Sequence, residues 1–239
     1  MSVLEKAVQV IDLLGRASGP VRLGAIAESM SVPKSTAHRL LSELTAHGLV
    51  RRAGDGEYAL GYRLVQWGHL ADRSVGLRHI AEPVMTRLRD QVRESVHLYV
   101  TEEDHRVCVL SAEGPHTLRP VAVLGRPMPI GFGAAGKLLY AYADESVQRR
   151  VAASLPEHRG HLLPDAAERA AIRERRFAVS VSEMEDGLSA LATPIITPGG
   201  VSGALAIAST TARMPESRYE EIRELLVEAA AEIAAALGC

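Results

Sequence analysis

The sequence predicts an α+β fold in two parts, with a winged helix-turn-helix in the N-terminal part. Three observations carry this. Apolar residues recur at helical spacing in three segments before residue 48, and a hairpin signal follows them. Beyond residue 79, strand-like and helix-like stretches mix without regular βαβ alternation. With 239 residues, 47% of them apolar and 23% charged, the chain is long enough for two cored units and too apolar to be disordered throughout.

Leu4, Val8, Ile11 and Leu14 form the apolar stripe of a first helix, which Ser18-Gly19-Pro20 stops. Leu23, Ile26, Ala27 and Met30 mark a short second helix. Ser31-Val32-Pro33 breaks the chain again, and Pro33 suits the first turn of a third helix that runs to Gly48. Val50-Arg51-Arg52 and Glu57-Tyr58-Ala59-Leu60 flank an Asp55-Gly56 turn and predict a two-stranded wing. These elements make up a predicted domain over 1–61. Tyr62, Val65, Trp67, Leu70 and Leu77 punctuate a stretch poor in Pro and Gly, so residues 62–78 are expected to form a stiff linker helix.

A second domain is expected over 79–239. A helix with Ile80, Val84, Leu88 and Val92 leads it. Strands are predicted at 95–101, 106–110, 118–123, 178–182, 191–197 and 204–209. A Gly-rich turn, 131–136, enters a helix over 137–142. Asp165-Ala-Ala-Glu168 is a capping-box-like start for a helix to Arg176. Ile222, Leu225, Leu226, Ala229 and Ile233 give the last helix one apolar face, ending at Gly238.

Composition excludes several function classes. Cys108 and Cys239 cannot make a disulfide framework, and residues 1–12 carry Glu5, Lys6 and Asp12 instead of a signal-peptide core. No charge occurs between Gly187 and Ala212, yet Pro194 and Pro198-Gly199-Gly200 make a buried hairpin the better reading than a membrane span. The expected location is cytoplasmic. HExxH, GxSxG, Walker and Cys-x-x-Cys patterns are absent. Gly131-Phe-Gly-Ala-Ala-Gly136 approaches a dinucleotide fingerprint, but no βαβ start precedes it. An enzyme, the reading from another class, therefore has no catalytic constellation behind it, and no cofactor is expected. His158 and His161 lie around Gly160 and have too few companions for a metal site.

Nucleic acid is the partner that the third helix suggests. Ala37, Leu40, Leu41 and Leu44 lie at i, i+3, i+4 and i+7 and should be buried. The opposite face offers Lys34, Ser35, Thr36, His38, Arg39 and Ser42. Short hydroxyls and free N–H groups in the first turn suit a phosphate, and His38 and Arg39 are placed to reach base edges in a major groove. Arg51 and Arg52 at the wing base suit backbone contacts. Between Ser31 and Arg52 there are four Lys/Arg against one Glu, in a chain of net charge −2.

Ser31-Val-Pro-Lys-Ser-Thr-Ala-His-Arg-Leu-Leu41, with Leu44 and Gly48-Leu49-Val50, resembles the recognition helix of the IclR family of bacterial transcription regulators. Glu94–Leu98, Glu113–His116, Gly133–Lys137 and Gly187–Ile195 are similar to landmarks of that family's second domain, in the same order. The resemblance implies a GAF-like effector-binding domain after the winged helix-turn-helix and linker helix. It also implies a homo-oligomer, a dimer or dimer of dimers, on a double-stranded DNA operator. Repression relieved by a small-molecule effector is the commoner behaviour in the family, and activation is the alternative.

The resemblance further implies an effector pocket between the sheet and the helix after the Gly-rich turn. Gly133, Ala134 and Ala135 would line it with backbone N–H groups; the other reading is that the glycines merely permit tight packing. Ser180, Leu188, Ala190, Ala206 and Ala208 complete the carried-over set. Family members that bind small organic acids resemble one another in an Asp, a Cys and serines at positions that read Ser180, Ala190, Ala206 and Ala208 here. These are smaller or less polar, so the expected effector is a larger, partly apolar acid or ester; a vestigial pocket is the alternative. His97 shares a strand face with Tyr99 and reads as a hydrogen-bonded structural histidine in preference to a ligand contact.

Overall fold

The computed structural model describes residues 2–71, 75–154 and 163–238. The chain divides into two compact units, Met1–Arg73 and Ser74–Cys239.

The first unit opens with α1, Val3–Arg16, closed at its start by a Ser2–Glu5 capping box. Two-residue β1, Val21–Arg22, leads into α2, Leu23–Ser29, and α3, Lys34–Ala46. The hairpin β2, Val50–Gly54, and β3, Glu57–Leu60, follows, and β1 pairs with β3 to make a sheet of order β1-β3-β2. α4 spans Arg63–Ala71. The core joins Val10, Leu14, Ile26, Met30, Leu40, Leu41, Leu44, Val50 and Tyr58. The buried face of α1 differs from the expected stripe. Val10 and Leu14 are buried, while Leu4 and Val8 are exposed. Apolar residues cover a wide arc of this helix, and a small three-helix core reaches only one side of it.

In the second unit, α5 runs Val75–Val92, starting ahead of the helix expected from residue 79. A fully antiparallel six-stranded sheet follows, of order β6-β5-β4-β9-β8-β7. Its strands are β4 (Ser95–Glu102), β5 (His105–Ala112), β6 (Pro127–Pro129), β7 (Ala178–Val181), β8 (Leu188–Thr197) and β9 (Gly200–Thr210). The helices α6 (Gly133–Tyr142), α7 (Glu145–Ser154), α8 (Ala166–Arg175) and α9 (Tyr219–Leu237) complete it. Asp165 caps α8 by accepting from the Glu168 N–H at 2.8 Å. His158 and His161 lie outside the described residues.

Successive strand residues face opposite ways, and here the two faces differ in size. One carries Val96, Leu98, Leu191, Ile195, Leu205 and Ile207 against α5 and α9. The other carries Ala178, Ala192, Ala204 and Ala206 toward α6. Large side chains fill the first interlayer space; alanines leave room in the second. The strand expected at 118–123 is absent. That stretch is irregular, with Leu118 and Val121 more than half exposed, because Pro120 lacks the N–H a ladder needs. The edge position goes instead to β6, whose Met128 pairs with Arg106.

Candidate functional site

Two places concentrate chemistry. The first is the outer face of α3. Ala37, Leu40, Leu41 and Leu44 are buried, which turns Lys34, Ser35, His38 and Arg39 to solvent, with Thr36 half-buried. No side chain caps the N-terminus of α3; the Thr36 N–H donates to the Pro33 carbonyl at 2.9 Å, which leaves the Lys34 and Ser35 N–H groups for a phosphate oxygen. Ser31, at φ 53°, makes the sharp turn between α2 and α3. Arg51 and Arg52 are both exposed, but neighbours on a strand point to opposite faces. The Arg51 guanidinium lies 5.5 Å from the centre of the Tyr62 ring, whereas Arg52 stands opposite Tyr58. The two arginines therefore address different sides of the wing.

The second place is a cavity of about 240 Å³ in the second unit. It exists because of the alanine face. Ala190, Ala206 and Ala208 floor it, and Ser180 and Leu188 flank them. The first turn of α6, Gly133-Ala134-Ala135, closes the far side, and no side chain caps that helix start. Gly133 sits at φ +63°, a conformation that disfavours a side chain. All eight positions carried over from the family resemblance thus line one space.

Residues the sequence reading did not assign to it line the same space. Arg106 reaches in from β5, and Arg126 from the loop before β6; the loop 120–123 and Met184 add apolar wall. Arg106 is 5% exposed; its Nη1 donates to the Phe132 carbonyl and its guanidinium lies 5.4 Å from the Tyr99 ring centre. Its alternation with buried Cys108 was the signal available in the sequence, an inward-facing cation among apolar neighbours. The expectation of a less polar pocket is therefore corrected in part: polarity lost at Ala190, Ala206 and Ala208 reappears on the opposite side as guanidinium.

His97 both lines the cavity and is hydrogen-bonded, its Nδ1 lying 3.1 Å from Ser111 Oγ. Burial lowers its pKa to about 4, so the ring is neutral near pH 7. Burial likewise raises the Tyr99 phenol to about 12 and the Cys108 thiol to about 11. Neither supplies an anion, and no Asp or Glu among the described residues lines the cavity. Among the described residues no group of three or more His, Cys, Asp or Glu could hold a metal ion. The Gly-rich turn enters α6 within an all-antiparallel sheet, which is not the parallel strand-to-helix crossover that a dinucleotide site needs.

A family model described as the IclR helix-turn-helix domain matches residues 3–54, and one described as the bacterial transcriptional regulator IclR C-terminal matches residues 69–235. The chain belongs to the IclR family of bacterial transcriptional regulators. The HTH-type transcriptional regulator XynR of Escherichia coli is 28% identical to it, over 98% of this chain and 96% of that one. A solved IclR structure from Thermotoga maritima superposes with a TM-score of 0.79 at 25% identity, covering 99% and 98% of the two chains. An IclR homologue from Microbacterium hydrocarbonoxydans, solved in complex with 4-hydroxybenzoate, has the same fold at a TM-score of 0.75 and 24% identity, covering 99% of each chain. As an IclR-family protein this chain is a DNA-binding transcriptional regulator and not an enzyme. Its α+β second unit is the family's GAF-like domain. Among the described residues no helix is long and apolar enough to cross a membrane.

Proposed function

We propose that this IclR-family protein is a cytoplasmic, ligand-responsive repressor that binds a near-palindromic operator as a dimer or dimer of dimers. Lys34, Ser35 and Thr36 hold phosphates at the α3 N-terminus, and His38 and Arg39 read base edges in the major groove. Arg51 or Arg52 fastens the wing to the backbone. Residues 62–78 act as the linker that spaces the two DNA-binding domains, and residues 79–239 bind the effector and assemble the oligomer.

The observation that carries the effector half is the cavity itself, a space between α6 and the alanine-floored sheet into which all eight expected positions converge. Its volume equals roughly eight waters' share of liquid, which suits a compact organic acid. The binding of 4-hydroxybenzoate by a homologue of the same fold supports an aromatic candidate. An effector changes operator affinity only if it binds the DNA-competent and DNA-incompetent conformations unequally.

The test is selection of sheared genomic DNA by the purified protein at near-physiological salt, with and without a pool of organic acids. A recurrent two-fold motif, depleted when the acids are added, is the expected result. Uniform, salt-sensitive retention without a motif would leave only non-specific affinity and overturn the proposal. Enrichment that rises on addition of the acids would replace derepression with ligand-dependent binding.

A further inference from the structure

Among the described residues, the buried charge in the cavity has no counter-charge. Arg106 Nε is buried and without a hydrogen-bond partner. The titratable groups that bear on this guanidinium are the Tyr99 phenol and the Cys108 thiol, both neutral near pH 7, and burial lowers its pKa. A buried ion is normally paired, and an unpaired one is a standing cost to the fold. Cysteine and tyrosine do not pair it, and the ring beneath it offers only a quadrupole.

The neighbourhood is shaped around this side chain. A Cβ on Gly136 would collide with Arg106 Nη1, and one on Gly133 would come within 3.6 Å of Nη2. Both glycines belong to the first turn of α6. The guanidinium is thus seated against a helix N-terminus that no side chain caps. Helix start and guanidinium carry charge of the same sign, so they repel one another unless an anion shares the space. Beyond this pole the walls turn apolar, with the alanine floor on one side and Val121, Met184 and Leu188 on the other. Arg126 is exposed at the rim, where solvent weakens its pull.

We infer that the cavity takes a monocarboxylate with a compact apolar body, its carboxylate paired with Arg106 at the first turn of α6 and its apolar part lying over the alanine floor. This rests on the reading of the cavity as the effector site and narrows it: an acid, not an ester, and one buried charge, not two. Neutral His97 offers the body of the ligand a hydrogen bond and no second charge.

The experiment titrates the full-length protein, and its R106M and R106Q variants, with benzoate, phenylacetate and hexanoate and with the three matched amides. Calorimetry reads binding and thermal melts read folding. At least one acid is expected to bind the wild type roughly tenfold or more tightly than its amide. Both variants are expected to lose that preference while amide affinity stays within about twofold. The unliganded R106M variant is expected to melt no lower than wild type, since a structural arginine would lower it. Absence of binding by every acid, equal binding of acids and amides, or an acid preference that survives in both variants would overturn the inference. So would failure of both variants to fold. The broader reading fails differently: an acid that binds through Arg106 and leaves operator affinity unaltered keeps this site and removes the switch, whereas an operator response to amides alone keeps the switch and removes this site.

Discussion

Filling the cavity from its floor should separate ligand response from DNA binding. Ala208 on β9 faces the cavity and is only half-buried, so a larger side chain there has somewhere to go. Ala208→Leu adds three carbons, which at about 30 Å³ each occupy more than a third of the 240 Å³ available. Burying them is worth about 2.4 kcal/mol at about 0.8 per carbon, and fixing the leucine rotamer takes back about 0.5–1 kcal/mol. A net gain near 1.5 kcal/mol raises the melting temperature by about 3–6 °C in a protein of this size. The same three carbons cost an incoming effector about 1–3 kcal/mol of overpacking, or roughly five- to 150-fold in affinity. α3 is in the other unit and is untouched. Melting followed by fluorescence reads the first effect, calorimetry the second, and anisotropy on an operator duplex the unaltered DNA affinity. A melting temperature lowered by several degrees with ligand affinity unaltered would refute the reasoning, because it would mean the floor packs as core and does not face a usable space.

Other outcomes follow from the same geometry. Arg39→Ala is expected to lower specific operator affinity by about 1–3 kcal/mol, whereas Arg51→Ala weakens all sequences evenly and reduces the salt slope by about one; anisotropy across a salt series distinguishes them. His97 has a folded pKa of about 4 against an ordinary 6.5, so the unfolded chain takes up its proton first as pH falls. Its contribution to stability is complete above pH 6.5 and is lost between 6.5 and 4, up to about 3 kcal/mol; His97→Gln should flatten that part of the stability–pH curve measured by denaturant melts. Arg213 donates to both oxygens of buried Glu94, at 2.8 and 3.1 Å, and to the Leu118 carbonyl at 3.1 Å. Arg213→Ala should therefore cost about 1.5–3 kcal/mol and speed proteolysis in the loop 118–126, with unaltered cleavage there counting against the tether.

Much of this architecture is written in local pattern. The faces of α3, the Asp55-Gly56 turn and the Pro198-Gly199 hairpin are set by side chains a few residues apart, and helical or strand periodicity reports them without knowledge of the rest. The resemblance at Gly133–Lys137 and Gly187–Ile195 pointed to the same turn and strands that enclose the cavity. What local pattern does not report is which of two plausible faces meets the core. Leu4 and Val8 share a stripe with Leu14, yet only tertiary packing decides that Val10 is buried in their place. The stretch 118–123 has strand composition, but its pairing depended on a partner edge that β6 occupies. Arg106 is the clearest case. In the sequence it is one arginine at the head of an apolar strand. Its meaning arises because β5 and α6 fold together, with Phe132 26 positions beyond Arg106, and leave a buried cation that no carboxylate among the described residues pairs. Electrostatic consequence depends on distance and burial in space, and neither is encoded in spacing along the chain.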